Sequence, residues 1–311
     1  MRVLVTGGAG FLGSHLCAAL IARGDEVVCV DNLSSGSKSN LEPLADLPGF
    51  EFMETDITNG ISVTARVDAV AHLASPASPR DYLRFPLQTL LTGSLGTEYA
   101  LRLADKWSAR FVLASTSEVY GNPAVHPQHE GYWGNVNPVG PRSVYDEAKR
   151  FAEALTAAWR RENGLNAGIV RIFNTYGPKM AASDGRVIST FIAQALTGEP
   201  LTVFGDGSQT RSFCYVDDLV RGLVRMIDSA VPGPVNLGNP EECSIMDVAS
   251  LVLAITGSAS QITHLPLPPD DPVRRCPDIA VARRLLQWQP RIPLNDGLQM
   301  TADWLRSRIT S

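Results

Sequence analysis

Tyr145 and Lys149 stand four residues apart in a run, 143–163, whose apolar spacing predicts a helix. Side chains at i and i+4 share one helix face, so the phenol and the ammonium are neighbours. A cation beside a phenol favours the phenolate and lowers its pKa, which makes Tyr145 a proton acceptor near neutral pH. Taken alone, Y-x-x-x-K is a frequent coincidence and reads also as a solvated helix face. The N-terminus gives it a context. Gly7-Gly8-Ala9-Gly10-Phe11-Leu12-Gly13 follows one apolar run and opens an amphipathic one. Glycines at 7, 10 and 13 form a G-x-x-G-x-x-G variant of the dinucleotide fingerprint. They permit a tight turn and let backbone N–H groups approach a pyrophosphate at a helix start. A second apolar run ends at Asp31, eighteen residues past Gly13, with Asn32 after it and no arginine in the next four positions. A carboxylate there accepts hydrogen bonds from both ribose hydroxyls and repels a 2′-phosphate. These residues predict bound NAD rather than NADP. Asp56-Ile57 is expected against the adenine, with a loop-capping aspartate as the alternative.

Such groups need a scaffold to hold them. Short apolar runs at 2–6, 26–31, 50–55, 69–74, 110–115 and 167–173 predict strands, and 12–23, 96–106 and 143–163 predict helices between them. A β-α-β-α order implies a parallel sheet covered on both faces and wound right-handedly, a doubly wound α/β fold of Rossmann type. After Phe173, the stretches 175–185, 205–209 and 266–272 are rich in Gly, Pro and Asp and read as loops. They carry a smaller unit with helices at 187–197 and 246–256. The expected division is a dinucleotide-binding domain at 1–173, to which part of 212–242 returns, and a substrate-binding domain made mainly of 174–311. Ligands of such sheets sit beyond the carboxyl ends of the strands, so the later segments cap that edge.

Composition narrows the function classes. The chain has 311 residues, 44% hydrophobic and 19% charged, enough for a sizeable core. A net charge of −5 without a Lys/Arg tract argues against nucleic acid as a partner. Cys17, Cys29, Cys214, Cys243 and Cys276 show no C-x-x-C pair or framework spacing. They read as reduced, packed thiols, and no metal site is expected. The start Met1-Arg2-Val3-Leu4-Val5 breaks into Thr6-Gly7-Gly8, unlike a signal peptide. No run approaches the roughly 18–20 apolar residues of a membrane span. A soluble, cytoplasmic enzyme without a membrane partner is expected.

Longer strings, in order along the chain, resemble the extended short-chain dehydrogenase/reductase family nearly end to end. They are T-G-G-A-G-F-L-G-S-H at 6–15, Y-D-E-A-K at 145–149, R-I-F-N-T-Y-G-P at 171–178, G-D-G-S-Q-T-R-S-F at 205–213, Y-V-D-D-L at 215–219 and N-L-G-N-P at 236–240. Within that family the chain is most similar to the UDP-glucuronate decarboxylases, or UDP-xylose synthases. The strings that carry this are H-L-A-S-P-A-S-P at 72–79, S-T-S-E-V-Y-G at 115–121, H-P-Q at 126–128, Y-W-G-N-V-N-P-V-G-P-R at 132–142 and D-D-P-V-R-R-C-P-D at 270–278.

The resemblance implies that UDP-glucuronate loses carbon dioxide through a 4-keto intermediate and leaves as UDP-xylose, with no net redox change. It casts Tyr145 as the base at the C4 hydroxyl, Thr116 as a donor to the same oxygen and Lys149 as an anchor of the nicotinamide ribose. It assigns Glu118 to a water or proton at C5, and Arg275 to closure over the substrate. A surface glutamate and a surface salt bridge are the plain alternatives. Ser117-Glu118 differs from the Asp-Glu pair of sugar-nucleotide dehydratases and from the small hydroxyl residues of simple 4-epimerases. Leu73 and Ala74 fall on the cofactor side, Pro76 and Ser117 on the substrate side. Asn174 and Arg211 match residues at the diphosphate, where Arg suits bidentate binding. The segments 184–187, with Arg186 and Val187, and 201–204, with Leu201, Val203 and Phe204, resemble uridine-binding stretches. Phe204 packs on the base or in the core.

Three positions depart from the family pattern. Gly93 and Thr190 replace a usual Asn, and Ala148 a usual Gly; Gly93 is expected to loosen Tyr145, the alternative being that it marks a specialised branch of the family. A 4-epimerase of the same substrate, making UDP-galacturonate, is the second hypothesis. A non-catalytic NAD- or sugar-nucleotide-binding scaffold is the third, opposed by intact Thr116, Tyr145 and Lys149. Family members pair helices into dimers, so a homodimer is expected through the apolar face around 90–101 and the helix 150–159. The alternative is that these faces only cover the sheet.

Overall fold

A computed structural model describes residues 1–267 and 274–309. The chain runs β1 (Arg2–Thr6), α1 (Phe11–Ala22), β2 (Glu26–Asp31), β3 (Phe50–Glu54), β4 (Ala69–His72), α2 (Pro79–Arg84), α3 (Pro86–Leu91), α4 (Thr97–Trp107), β5 (Arg110–Thr116), α5 (Ser143–Asn163) and β6 (Ala167–Ile172). It continues with β7 (Thr175–Tyr176), α6 (Val187–Thr197), β8 (Leu201–Phe204), β9 (Thr210–Ser212), β10 (Cys214–Tyr215), α7 (Val216–Ile227) and β11 (Val235–Leu237). The last elements are β12 (Glu242–Ser244), α8 (Ile245–Thr256), β13 (Ile262–Leu265), β14 (Arg274–Arg275), α9 (Ala280–Leu286) and α10 (Leu294–Ile309).

Seven strands form one parallel sheet in the order β11-β6-β5-β4-β1-β2-β3. From β1 the chain builds outward first through β2 and β3, then through β4, β5 and β6 on the other side. The reversal opens a crevice at the carboxyl ends of β1 and β4. Side-chain alternation supplies both faces. Val3 and Val5 of β1 pack with Leu16 and Leu20 of α1 and Leu219 and Leu223 of α7, whereas Leu4 packs with Leu101 of α4 and Ala152 of α5. All seven residues of β5 are buried, as a central parallel strand requires. At the end of β4, buried His72 bridges the hydroxyls of Thr6 at 2.8 Å and Thr97 at 3.1 Å, joining sheet to helix.

The later chain forms three small sheets, β10-β7, β12-β9-β14 and β13-β8. Part of it returns: β11 pairs with β6, Val235 opposite Val170, and α7 packs on α1. The stretch 175–185, expected as loop, contains the short strand β7. Of 266–272, only Pro266 and Leu267 lie within the described residues. Three helical segments between residues 79 and 96 were not anticipated. The Ser78 hydroxyl accepts the Asp81 N–H at 3.1 Å and Pro79 starts α2, while Pro86 starts α3. A π-helical turn, Thr92–Gly96, then carries α3 into α4. Proline at a first helical position is compatible with a helix because its missing N–H has no partner there. Among the described residues, no helix is long and apolar enough to cross a membrane.

Candidate active site

A cleft of about 1180 Å³ runs over the carboxyl ends of the sheet. The turn after β1 forms its floor. Gly7 has φ +71°, and a Cβ on it would fall 2.7 Å from the Ala74 Cα, so the turn and the β4 exit close only on glycine. A Cβ on Gly13 would collide with the Gly7 carbonyl oxygen. At Gly10 the only near atom among the described residues is that same oxygen, 3.2 Å away. The fold therefore needs glycine at 7 and 13, whereas Gly10 keeps a piece of cleft wall bare. No side chain caps α1, and its first turn holds no acidic residue. That is an anion-binding helix start.

Asp31 is buried at the end of β2 and accepts the N–H of Ala9 at 2.9 Å and of Leu33 at 2.8 Å. Burial raises its pKa, opposed by these N–H donors. Asp56 does cap its loop: its Oδ1 accepts the Thr58 N–H at 2.9 Å. Its other oxygen accepts from Asn32 and Gln88. Gly7, Gly10, Phe11, Leu12, Gly13, Asp31, Asn32, Asp56, Ile57, Leu73 and Ala74 all line this half of the cleft. The donor set fits a dinucleotide: bare glycine, uncapped helix start and a carboxylate at the second strand end.

The cleft deepens where β5 ends. Tyr145 is buried there, and the Thr116 side chain is the group that does most to ease its phenol downward. Lys149 donates to the Ala114 carbonyl at 2.9 Å, and its Nζ lies 5.9 Å from the Tyr145 ring centroid. The expected lowering of the phenol by Lys149 is not what the structure gives. Burial pushes the Tyr145 phenol up, and the groups that ease it are Thr116 and the Arg186 guanidinium. Lys149 is itself buried, which lowers its ammonium to about 8, and it is turned toward the strand end. Sequence reasoning missed Tyr82, whose ring stacks on that of Tyr145 at 5.2 Å and 9°. Nothing in the short run 79–84 marked it as a helix aimed at the site.

Glu118 follows β5 in a single turn of 3-10 helix, Ser117–Tyr120, capped by Thr116. Burial alone would raise its carboxyl, but Arg275 and Arg142 hold it down to about 2. Arg142 donates to one oxygen at 2.8 Å and Arg275 to the other. Arg142 stands in the string 132–142, yet no role was read for it. Asp146, next to Tyr145, is also buried; burial and the nearby Glu118 charge raise it to about 7, and its Oδ1 lacks a hydrogen-bond partner. The Arg275 Nε is buried without a partner too.

The segment carrying Arg275 is clamped by buried Gln128 of the H-P-Q string, which accepts the Cys276 N–H at 2.9 Å and donates its own N–H to the Cys276 carbonyl. Asn236 donates to the Gln128 and Asp278 carbonyls and accepts from Tyr120. Strings far apart in sequence thus meet in one knot behind the Glu118–Arg275 pair. Residues 270–273 of the string at 270–278 lie outside the described residues.

Pro76, Ser117, Asn174, Arg186, Val187, Phe204, Arg211 and Arg275 line the rest of the cleft. Leu201 and Val203 do not: both are buried in the core, and the period of strand β8 turns Thr202 and Phe204 to the cleft instead. Phe204 is 42% exposed, so it is not a core aromatic. Arg186 is held bidentately by Asp184, and its charge eases the Tyr145 phenol downward.

Residues 3–238 match the model of the NAD dependent epimerase/dehydratase family. The chain belongs to that family. It is 50% identical over 308 residues to "UDP-glucuronic acid decarboxylase 1" of Xenopus tropicalis, an alignment covering 99% of this chain and 73% of that one. Among solved structures, UDP-glucose 4-epimerase of Thermotoga maritima superposes with a TM-score of 0.92 at 31% identity, over 99% of this chain and 100% of that one. UDP-glucuronic acid 4-epimerase of Bacillus cereus, in complex with UDP-glucuronic acid and NAD, gives 0.88 at 31% identity with the same coverage. The doubly wound fold is therefore that of the family, and the five cysteines are free thiols, four of them buried.

Proposed function

We propose that this chain decarboxylates UDP-glucuronate to UDP-xylose in a redox-neutral cycle. The observation that carries this is the Glu118 carboxylate held between Arg142 and Arg275 beside Tyr145 and Thr116. Half-identity over nearly the whole chain to a UDP-glucuronic acid decarboxylase supports it.

The turn Gly7–Gly13 and the α1 start would hold the pyrophosphate of NAD, Asp31 and Asn32 the adenosine ribose, Asp56 and Ile57 the adenine. Leu73, Ala74, Tyr145 and Lys149 complete that side. Asp31 disfavours a 2′-phosphate, hence NAD and not NADP. Bound NAD supplies the hydride acceptor at C4 and the donor for its return. Tyr145 takes the C4 hydroxyl proton while Thr116 donates to the same oxygen. The resulting ketone is β to the C5 carboxylate, so the C5–C6 electrons pass to the ketone oxygen as carbon dioxide leaves. Tyr145, now protonated, and Thr116 donate to that enolate oxygen where its charge develops. Glu118, ionised above about pH 2, accepts hydrogen bonds and does not itself donate a proton. Its role is to orient the water that protonates C5. A proton from solvent replaces the one that water gives up, so the cycle consumes one solvent proton. Tyr145 gives its own proton back to the C4 oxygen as the ketone is reduced. Arg275 and Arg142 balance the carboxylate and enolate charge. The diphosphate falls to Asn174 and Arg211, and the uracil to Val187 and Phe204.

We assign 1–173, with the return at 212–242, to the dinucleotide and the remainder mainly to the UDP-sugar. A homodimer forms through α3, α4 and α5. The 4-epimerase of the same substrate is the second reading, favoured by the likeness to the Bacillus cereus enzyme at lower identity. Single turnovers with UDP-glucuronate, following NADH and carbon dioxide together, test the roles. Glu118→Gln and Arg275→Ala should form NADH and then stall or release a 4-keto sugar. Tyr145→Phe should form none, a loss of about 10²–10⁴-fold for the base alone. An unchanged time course in both Glu118→Gln and Arg275→Ala removes the post-oxidation chemistry from these residues.

A further inference from the structure

Gly93 and Ala148, singled out by the sequence as separate departures, touch in the structure. The π turn Thr92–Gly96 lies against α5 between Tyr145 and Lys149, and such turns recur at functional sites. A Cβ on Gly93 would stand 2.7 Å from the Ala148 Cβ and 3.0 Å from its carbonyl oxygen. Side-chain carbons do not approach to 2.7 Å, and this Cβ–Cβ clash is the part of the obstacle that Ala148→Gly removes, whereas the approach to the oxygen is tight and asks only for a small shift. Both residues are buried, and Thr92, next to Gly93, lines the cleft.

We propose that Gly93 and Ala148 form one packing unit that seats the catalytic turn of α5. The contact has room for one methyl group. Ala148 carries it, and bare Gly93 lets α5 come down onto the π turn. The expected loosening of Tyr145 by Gly93 is thereby reversed, because the missing side chain is matched by an added one opposite. Both are positioning residues. They act through Tyr145 and Lys149, and the inference rests on those two serving the first oxidation. Ala148 directly precedes Lys149, so displacement here shifts the Lys149–Ala114 bond of 2.9 Å and the Tyr145–Thr116 contact together. A misplacement near 1 Å can cost roughly 10²-fold in rate.

Helix propensity predicts the opposite sign, which separates the two effects. Glycine to alanine in a helix is normally favourable, and alanine to glycine unfavourable. The full chain with bound NAD is to be compared with Gly93→Ala, Ala148→Gly and the double variant. NADH formation in single turnovers, UDP-glucuronate affinity and thermal unfolding are the readouts. Gly93→Ala should slow NADH formation by about 10–100-fold with affinity changed by less than about threefold, since the loss lies in reacting geometry. Adding Ala148→Gly should restore the rate to within roughly threefold of the parent, a strongly non-additive pair. Additive rate effects, an unaffected Gly93→Ala, or rescue of thermal stability without rescue of rate would each overturn the proposal. First hydride transfer is common to decarboxylation and epimerisation. A different final product would therefore remove the proposed function without touching this result.

Discussion

Two guanidinium groups hold the Glu118 carboxylate, and the arrangement has a signature in pH. Its folded-state value of about 2 lies below the ordinary 4.5, so between those values the unfolded chain binds the proton and the folded chain does not. Stability from this group is present above about pH 4.5 and lost as pH falls toward 2, an increment of about 3 kcal/mol. Glu118→Gln should delete that slope in denaturant unfolding, and, by removing a charge that raises Asp146, should also lessen the loss of stability that Asp146 causes as pH rises from about 4 to 7. Identical acid slopes would mean that the two arginines do not hold the group ionised. Glu118 and Arg275 were legible because their strings resemble a family. Arg142 and Tyr82 were not, since each reaches its partner from a loop or short helix whose course no local periodicity reveals. Leu201 and Val203 were misread for a simpler reason. A matching string says that a strand borders the ligand, but the two-residue period decides which of its side chains face it.

At the scale of elements, the turn joining β1 to α1 separates what the fold needs from what the ligand needs. Among the described residues, Gly10→Ala meets only the Gly7 oxygen at 3.2 Å, in an extended conformation that alanine adopts. It should stay folded, within a few degrees in thermal unfolding, and lose NAD binding by at least about tenfold, because its methyl fills the approach to the N–H groups. Gly13→Ala should instead destabilise the fold, since its Cβ collides with the Gly7 carbonyl. If Gly10→Ala bound NAD normally by calorimetry, the cradle would lie elsewhere. Long periodic elements were read closely: α5 and α6 span 143–163 and 187–197 as their patterns indicate, each ending on a left-handed glycine, Gly164 and Gly198. The stretch 79–96 was not. Its helices are six residues or fewer, started by proline and Ser78, and the π turn has no sequence period of its own.

For the whole molecule, the parallel sheet and a ligand edge at its carboxyl ends followed from the β-α-β alternation, because parallel strands need crossovers of one hand, whereas the strand order and the seventh strand, Val235–Leu237, came only with the structure. The surface did not follow in the same way. Ala100, Leu101 and Ala104 of α4 cover the sheet. Leu87, 74% exposed, stands with Leu83, Leu91, Leu95, Tyr99 and Phe151 among the exposed apolar side chains of α2 to α5. A monomer rarely leaves such a face open. Leu87→Glu with Phe151→Glu should convert a dimer to monomers in sedimentation with the single-chain fold retained, and a parent protein already monomeric would refute the pairing. The chemistry itself is tested most directly by giving the unmodified protein UDP-glucuronate labelled at its carboxyl carbon, with NAD present, and assaying gas and nucleotide sugar together. Labelled carbon dioxide in equal amount to UDP-xylose, without net NADH, is the expected result. UDP-galacturonate with the label retained would contradict decarboxylation and leave the 4-epimerase in its place.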